Sequence, residues 1–114
     1  MSQVSAVASR RVRDAAPLFA ALGDETRLRL LLRLSSGGQE SIARLTAKSP
    51  VSRQAITKHL EVLSEAGLVV GSRRGRERIW QLAPERLTKA REYLDRISRQ
   101  WDETLDHLRT HVEG

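Results

Sequence analysis

Cysteine is absent from this chain of 114 residues, which excludes disulfides, thiolate zinc sites and cysteine nucleophiles. No apolar run approaches the ~18 residues of a membrane span, and the N-terminus lacks the apolar core of a secretory signal. The expected setting is the cytoplasm, with no membrane partner. Catalytic constellations are missing as well. There is no His-Glu-x-x-His, no glycine-rich phosphate loop, and no nucleophile beside a base and an orienting acid. Neither enzyme activity nor a cofactor is expected. Lysine is scarce, with 3 Lys against 17 Arg, and the net charge is +6. Arginine dominates where planar, bidentate recognition of phosphate or guanine edges is useful, although GC-rich coding enriches it too. The length suits one domain with a modest core and no covalent staples.

Residues 1–9 are small and polar and are expected to form a flexible start. A helix is expected from Arg10 to Leu22, with Pro17 starting a new turn or kinking it. Asp24 reads as the N-cap of a second helix, which Leu28, Leu31, Leu32 and Leu34 carry to about Ser35 before Ser-Gly-Gly ends it. A short helix follows from about Ser41, its N-cap, to Ala47, burying Ile42 and Leu45. Ser49-Pro50-Val51 is a tight connector. Ser52 caps the next helix, whose Ile56, Leu60 and Leu63 fall at helical spacing with Ala55 and Val62 beside them; Gly67 suits its end. Residues 68–73 and 77–82 read as a hairpin with Gly75 in the turn.

Pro84 and Glu85 suit the first turn of a last helix. Along it Leu87, Leu94, Trp101 and Leu108 recur every seven residues, with Ala90, Ile97 and Leu105 between them. A stripe of ~28 residues, ~42 Å long, exceeds what a domain of this size covers alone. Leu87, Leu94, Ile97, Trp101, Leu105 and Leu108 are therefore expected to pack on a second subunit. The reading is mostly α with a small β-hairpin, a winged helix-turn-helix in α-α-α-α-β-β-α order: a DNA-binding domain at 10–83 and a dimerisation helix at 84–114.

Three stretches in this order carry a family resemblance: Leu18-Phe19-Ala20-Ala21-Leu22-Gly23-Asp24-Glu25-Thr26-Arg27-Leu28-Arg29-Leu30-Leu31, Ser52-Arg53-Gln54-Ala55-Ile56-Thr57-Lys58-His59-Leu60, and Leu63-Ser64-Glu65-Ala66-Gly67-Leu68-Val69. Over roughly residues 17–83 the chain resembles the ArsR-type winged helix-turn-helix regulators. The resemblance implies a homodimeric, operator-binding transcriptional regulator whose first and last helices build the dimer interface. The chain departs from metal-sensing members, which carry cysteine on the short helix before the recognition helix. Here that helix reads Ser41-Ile42-Ala43-Arg44-Leu45-Thr46-Ala47, so any effector is unidentified.

Double-stranded DNA is the expected partner. Arg53, Gln54, Thr57 and Lys58 lie off the apolar stripe of their helix. Arg can read guanine, Gln adenine and Thr a thymine methyl, while Lys can hold phosphate. Ser52 offers a hydroxyl and neighbouring backbone N–H groups to a phosphate. Arg73, Arg74, Arg76 and Arg78 around Gly75 read as a phosphate clamp, against the plainer reading of a solvated charge run. Trp80 reads as a packing aromatic, and His59 as packing at the edge of the recognition helix or touching backbone phosphate. Arg10, Arg11 and Arg13 read as solubilising rather than as a basic arm. His107 and His111 share a helix face near Asp106 and Glu113, a spacing that binds zinc only when further ligands arrive; a protonated imidazole also suits a helix C-terminus. Two alternatives follow: a zinc-responsive sensor using these histidines, and a protein-interaction module with an incidental basic hairpin.

Overall fold

A computed structural model describes residues 3–113, with side chains described for 6–112. The chain runs α1 (Gln3–Leu22), α2 (Glu25–Gly37), β1 (Glu40–Ser41), α3 (Ile42–Ala47), α4 (Arg53–Glu65), β2 (Val69–Arg74), β3 (Glu77–Leu82) and α5 (Pro84–Glu113). Helices α2, α3 and α4 each start on a side chain that satisfies an orphan amide of the first turn. Asp24 accepts from Arg27 N at 3.1 Å, Ser41 from Arg44 N at 3.2 Å, and Ser52 from Ala55 N at 3.2 Å.

Two expectations change, the start of the first helix and the number of strands. The first helix begins at Gln3 rather than Arg10, so residues 3–9 are helical; residues 1 and 2 lie outside the described residues. Pro17 sits inside that helix without ending it. The sheet has a third strand, because Glu40 and Ser41 pair antiparallel with Trp80 and Ile79 in the order β1-β3-β2. Gln39 Nε2 supports that edge by donating to Gln81 Oε1 at 2.9 Å. Two residues are too short to leave an alternating pattern, which explains why this strand has no signature in the sequence.

On α2, Leu30, Leu31 and Leu34 face inward, while Leu28 and Leu32, four residues apart, form an exposed second strip. The core gathers the inward leucines with Ile42 and Leu45 of α3, Ile56, Leu60 and Leu63 of α4, and Val69 and Trp80 of the sheet. Trp80 is 1% exposed and lies opposite Gly71. A Cβ at Gly71 would stand 3.0 Å from its ring, so only glycine lets the indole lie against the neighbouring strand. Phe19 of α1 meets Tyr93 of α5 with ring centroids 5.9 Å apart, joining the first and last helices. Beyond that contact α5 continues for about five turns, and the described residues measure 65 × 33 × 20 Å.

Candidate nucleic-acid interface

α3 and α4 are joined by a short turn, and α4 offers its first turn to solvent. Ser52, Arg53 and Gln54 are exposed, Lys58 is exposed one turn on, and Thr57 is half-buried. The apolar positions Ile56, Leu60 and Leu63, each 0% exposed, anchor the opposite face. Ser52 Oγ is occupied as an acceptor by the cap, so its hydroxyl offers a donor. Ile56 N already bonds to Ser52 O, while the amides of Arg53 and Gln54 point out of the helix end, where the dipole favours an anion. Thr57 Oγ1 donates back to Arg53 O at 2.9 Å, which leaves its methyl and both lone pairs for a base edge.

The hairpin turns on Gly75 and Arg76. Gly75 has φ 63°, and among the described residues only glycines have positive φ, the glycine-first pattern of a two-residue type II′ turn. Register separates the arginines. Arg73 lies opposite Arg78, Arg74 opposite Glu77, and Arg76 sits at the tip. Because side chains alternate across a strand, Arg73 and Arg78 share the sheet face of Val69 and Trp80, the face that packs on the helices. Arg78 stacks its guanidinium 4.9 Å from the Trp80 ring centroid. Like charges directly opposite each other disfavour a hairpin; the Arg78 stack on Trp80 offsets part of that cost, and a bound anion would offset more.

The cations fall into two groups. Arg33 of α2 makes a 2.7 Å ion pair with Glu40 and donates to the carbonyls of Arg44 at 2.8 Å and Leu45 at 3.3 Å. Arg27 donates to Ala21 O at 2.6 Å and meets His59 Nδ1 at 3.2 Å, with Asp24 Oδ2 3.8 Å from that nitrogen. Hydrogen bonding to the Arg27 amide, aided by the nearby Arg27 charge, holds the Asp24 carboxyl below its ordinary value of 3.8 against a smaller opposing effect of desolvation. By contrast, Arg53, Lys58, Arg73, Arg74, Arg76 and Arg78 have no carboxylate within ion-pairing distance among the described residues. The Asp24, Arg27, His59 cluster escapes a linear reading because its members lie up to 35 positions apart; the local hint is Asp24 and Arg27 sharing one cap.

The seam on α5 divides. Leu87 packs against the chain's own core, alongside buried Ala90, instead of standing free. Leu94, Ile97, Trp101 and Leu108 are exposed, Trp101 by 61%, and Leu105 is half-buried. A groove of about 560 Å³ between α1 and α5, lined by Val7, Val12, Tyr93 and Ile97, continues this uncovered surface. His107 and His111 are exposed; Glu113 lies outside the residues whose side chains are described. No group of three His, Cys, Asp or Glu able to hold a metal occurs among the described residues. No helix described is long and apolar enough to cross a membrane.

Residues 22–71 match the model of a helix-turn-helix domain. The chain is 41% identical over 77 residues to the HTH-type transcriptional regulator Rv2034 of Mycobacterium tuberculosis, covering 68% of this chain and 71% of that protein. An ArsR-like transcriptional regulator from Rhodococcus sp. RHA1 superposes with a TM-score of 0.74 at 39% identity, covering 86% of this chain and 92% of that one. The chain belongs to the ArsR-type family of helix-turn-helix transcriptional regulators. As an ArsR-type protein it is a DNA-binding regulator and not an enzyme. A homodimeric winged helix-turn-helix domain from Mycobacterium bovis shares the fold at 22% identity, with a TM-score of 0.62 over 94% of this chain and 93% of that one. The α4 helix is the second helix of the helix-turn-helix, and β2–β3 is the wing.

Proposed function

We propose that this ArsR-type chain works as a homodimeric repressor of a palindromic operator in double-stranded DNA, acting from the cytoplasm by occluding promoter access. The observation that carries the DNA reading is a set of six exposed cations over the first turns of α4 and the wing, none with a carboxylate partner among the described residues. In this reading Arg53, Gln54 and Thr57 read base edges in the major groove. Lys58 and the Ser52 end of α4 hold phosphate, and Arg73, Arg74, Arg76 and Arg78 clamp the flanking backbone.

The dimer reading is supported by the apolar strip Leu94, Ile97, Trp101 and Leu108, exposed on a helix that otherwise carries charge. Such a strip, continued by Val7 and Val12 of α1, is larger than isolated surface hydrophobes and marks an interface. A two-fold axis through it sets two α4 helices about one helical turn apart, ~34–36 Å. Leu87 contributes from within its own core and Leu105 from the half-buried flank. Any effector then acts by changing the distance between the two reading heads.

The test replaces Trp101→Glu together with Leu108→Glu and measures mass by analytical ultracentrifugation alongside operator affinity. The expected variant is a folded monomer whose operator affinity falls by about 10²-fold or more, since the second half-site contact is no longer intramolecular. A variant that stays dimeric, or a parent chain that is monomeric, contradicts the reading.

A further inference from the structure

Arg27 bonds the reading helix to the elements that would carry the second subunit. From the N-terminal turn of α2, its guanidinium reaches two other helices. Nε donates to Ala21 O at 2.6 Å and Nη2 to Ala20 O at 3.4 Å, both at the carboxyl end of α1. Nη1 reaches His59 Nδ1 on α4 at 3.2 Å. Arginine has no acceptor, so this bond requires Nδ1 to be the bare nitrogen of a neutral ring. Asp24 fixes the arginine from behind by accepting its backbone amide at 3.1 Å. The Phe19–Tyr93 contact then joins α1 to α5. The His59 side chain is only 23% exposed, and the wing and first-turn cations have no comparable anchor among the described residues.

We propose that Arg27 and His59 are positioning residues for operator recognition: they set the tilt of α4 against α1 and so the separation of the two reading heads. This rests on the dimeric reading above. The apolar face of α4 buries Ile56, Leu60 and Leu63 and holds the helix in place, but apolar burial has little directional preference. The Arg27 fork is directional at both ends. Its lever is long. A tilt of about 10° acting over half of the ~34–36 Å between reading helices shifts each by about 3 Å, close to the ~3.4 Å rise of one base pair.

The full chain is titrated with duplexes carrying two copies of its selected half-site, with the spacer varied one base pair at a time, and with a single half-site duplex. Variants are Arg27→Gln, His59→Leu and His59→Asn, the last because an Asn oxygen can accept where Nδ1 did. The parent chain is expected to show one sharp spacing optimum. Arg27→Gln and His59→Leu are expected to lose about tenfold at that optimum and to bind adjacent spacings almost as well, with single-half-site binding unchanged. His59→Asn is expected to restore the sharp profile. Should Arg27→Gln not fold, His59→Leu carries the test, because the Arg27 bonds to α1 remain in it. Variants that melt earlier yet keep the parent's optimum, or that lose equally on every duplex, overturn the positioning role and leave the dimeric reading intact. A parent chain indifferent to spacing overturns the dimeric reading and this inference with it.

Discussion

Two populations of arginine in one chain sit in opposite settings, and position rather than composition separates them. Arg27 and Arg33, both on α2, are half-buried and each engages two other elements through carbonyls, a carboxylate or an imidazole. Arg53 and the wing arginines 73, 74, 76 and 78 are exposed, and among the described residues none has a carboxylate partner. The first group satisfies helix ends that would otherwise bury unpaired carbonyls. The second is solvated and, in the proposed reading, is the surface that meets an external polyanion. A net charge of +6 says nothing about which arginine belongs to which group.

The sharpest way to break this contrast is stability. Arg33→Ala strands the Glu40 carboxylate and frees two α3 carbonyls, so unfolding free energy should fall by about 2–3 kcal/mol. That corresponds to a melting temperature lower by roughly 10 °C. Arg76→Ala at the wing tip should stay within about 0.5 kcal/mol of the parent in the same urea titration. Equal losses at the two sites would erase the distinction.

Base preference comes next. Gln54→Ala or Arg53→Ala should relax discrimination at one operator position per half-site by about 1–3 kcal/mol, read from competition among single-base operator variants. If preference stays intact while all sequences weaken together, these residues hold phosphate instead. The double variant Arg73→Ala, Arg78→Ala sharpens the other side. For every phosphate it no longer neutralises, the log–log salt slope should become shallower by about 0.9. Stability should barely change, because loss of the Trp80 stack is offset by removal of an opposed like-charge pair. An unchanged slope would put this face of the wing away from the duplex.

The smallest effect concerns acid. The Asp24 carboxyl is held below its ordinary value in the folded chain. Its contribution is therefore present above the unfolded pKa and lost as pH falls through the folded one. Asp24→Asn, which keeps a capping oxygen but not the charge, should lower stability slightly at neutral pH, match the parent well below about pH 4, and so flatten the acid limb of a stability profile. A profile as steep as the parent's would assign acid sensitivity elsewhere.

Much of this fold is legible in the chain because its signals are local. Asp24, Ser41 and Ser52 each announce a helix start by their own chemistry, and all three cap as expected. Gly75 between two β-rich runs announces the wing turn, and the second strand lies at 77–82 as expected, while the first runs 69–74 instead of 68–73. What escapes is non-local or too short. Strand β1 has two residues and exists only because β3 offers an edge. The helical start at Gln3 runs through Val4, Ser5, Val7 and Ser9, whose propensity is weak, and carries no cap or apolar stripe that marks a beginning. The Arg27–His59 bond joins positions 32 apart, and Leu87 repeats with the seam yet turns inward because the core reaches that far along α5. At the interface, sequence spacing identifies the exposed cations, but only strand register shows that Arg73 faces Arg78 while Arg74 faces Glu77.

The central claim is that paired copies of α4 and the wing read a two-fold symmetric duplex, and selection of binding sites from random double-stranded DNA at physiological salt tests it most directly. The account predicts an inverted repeat whose half-site centres lie about 10–10.5 base pairs apart, or a multiple of that. Recovery of sequences with no shared motif, or of a single unrepeated half-site bound by one chain, would contradict it.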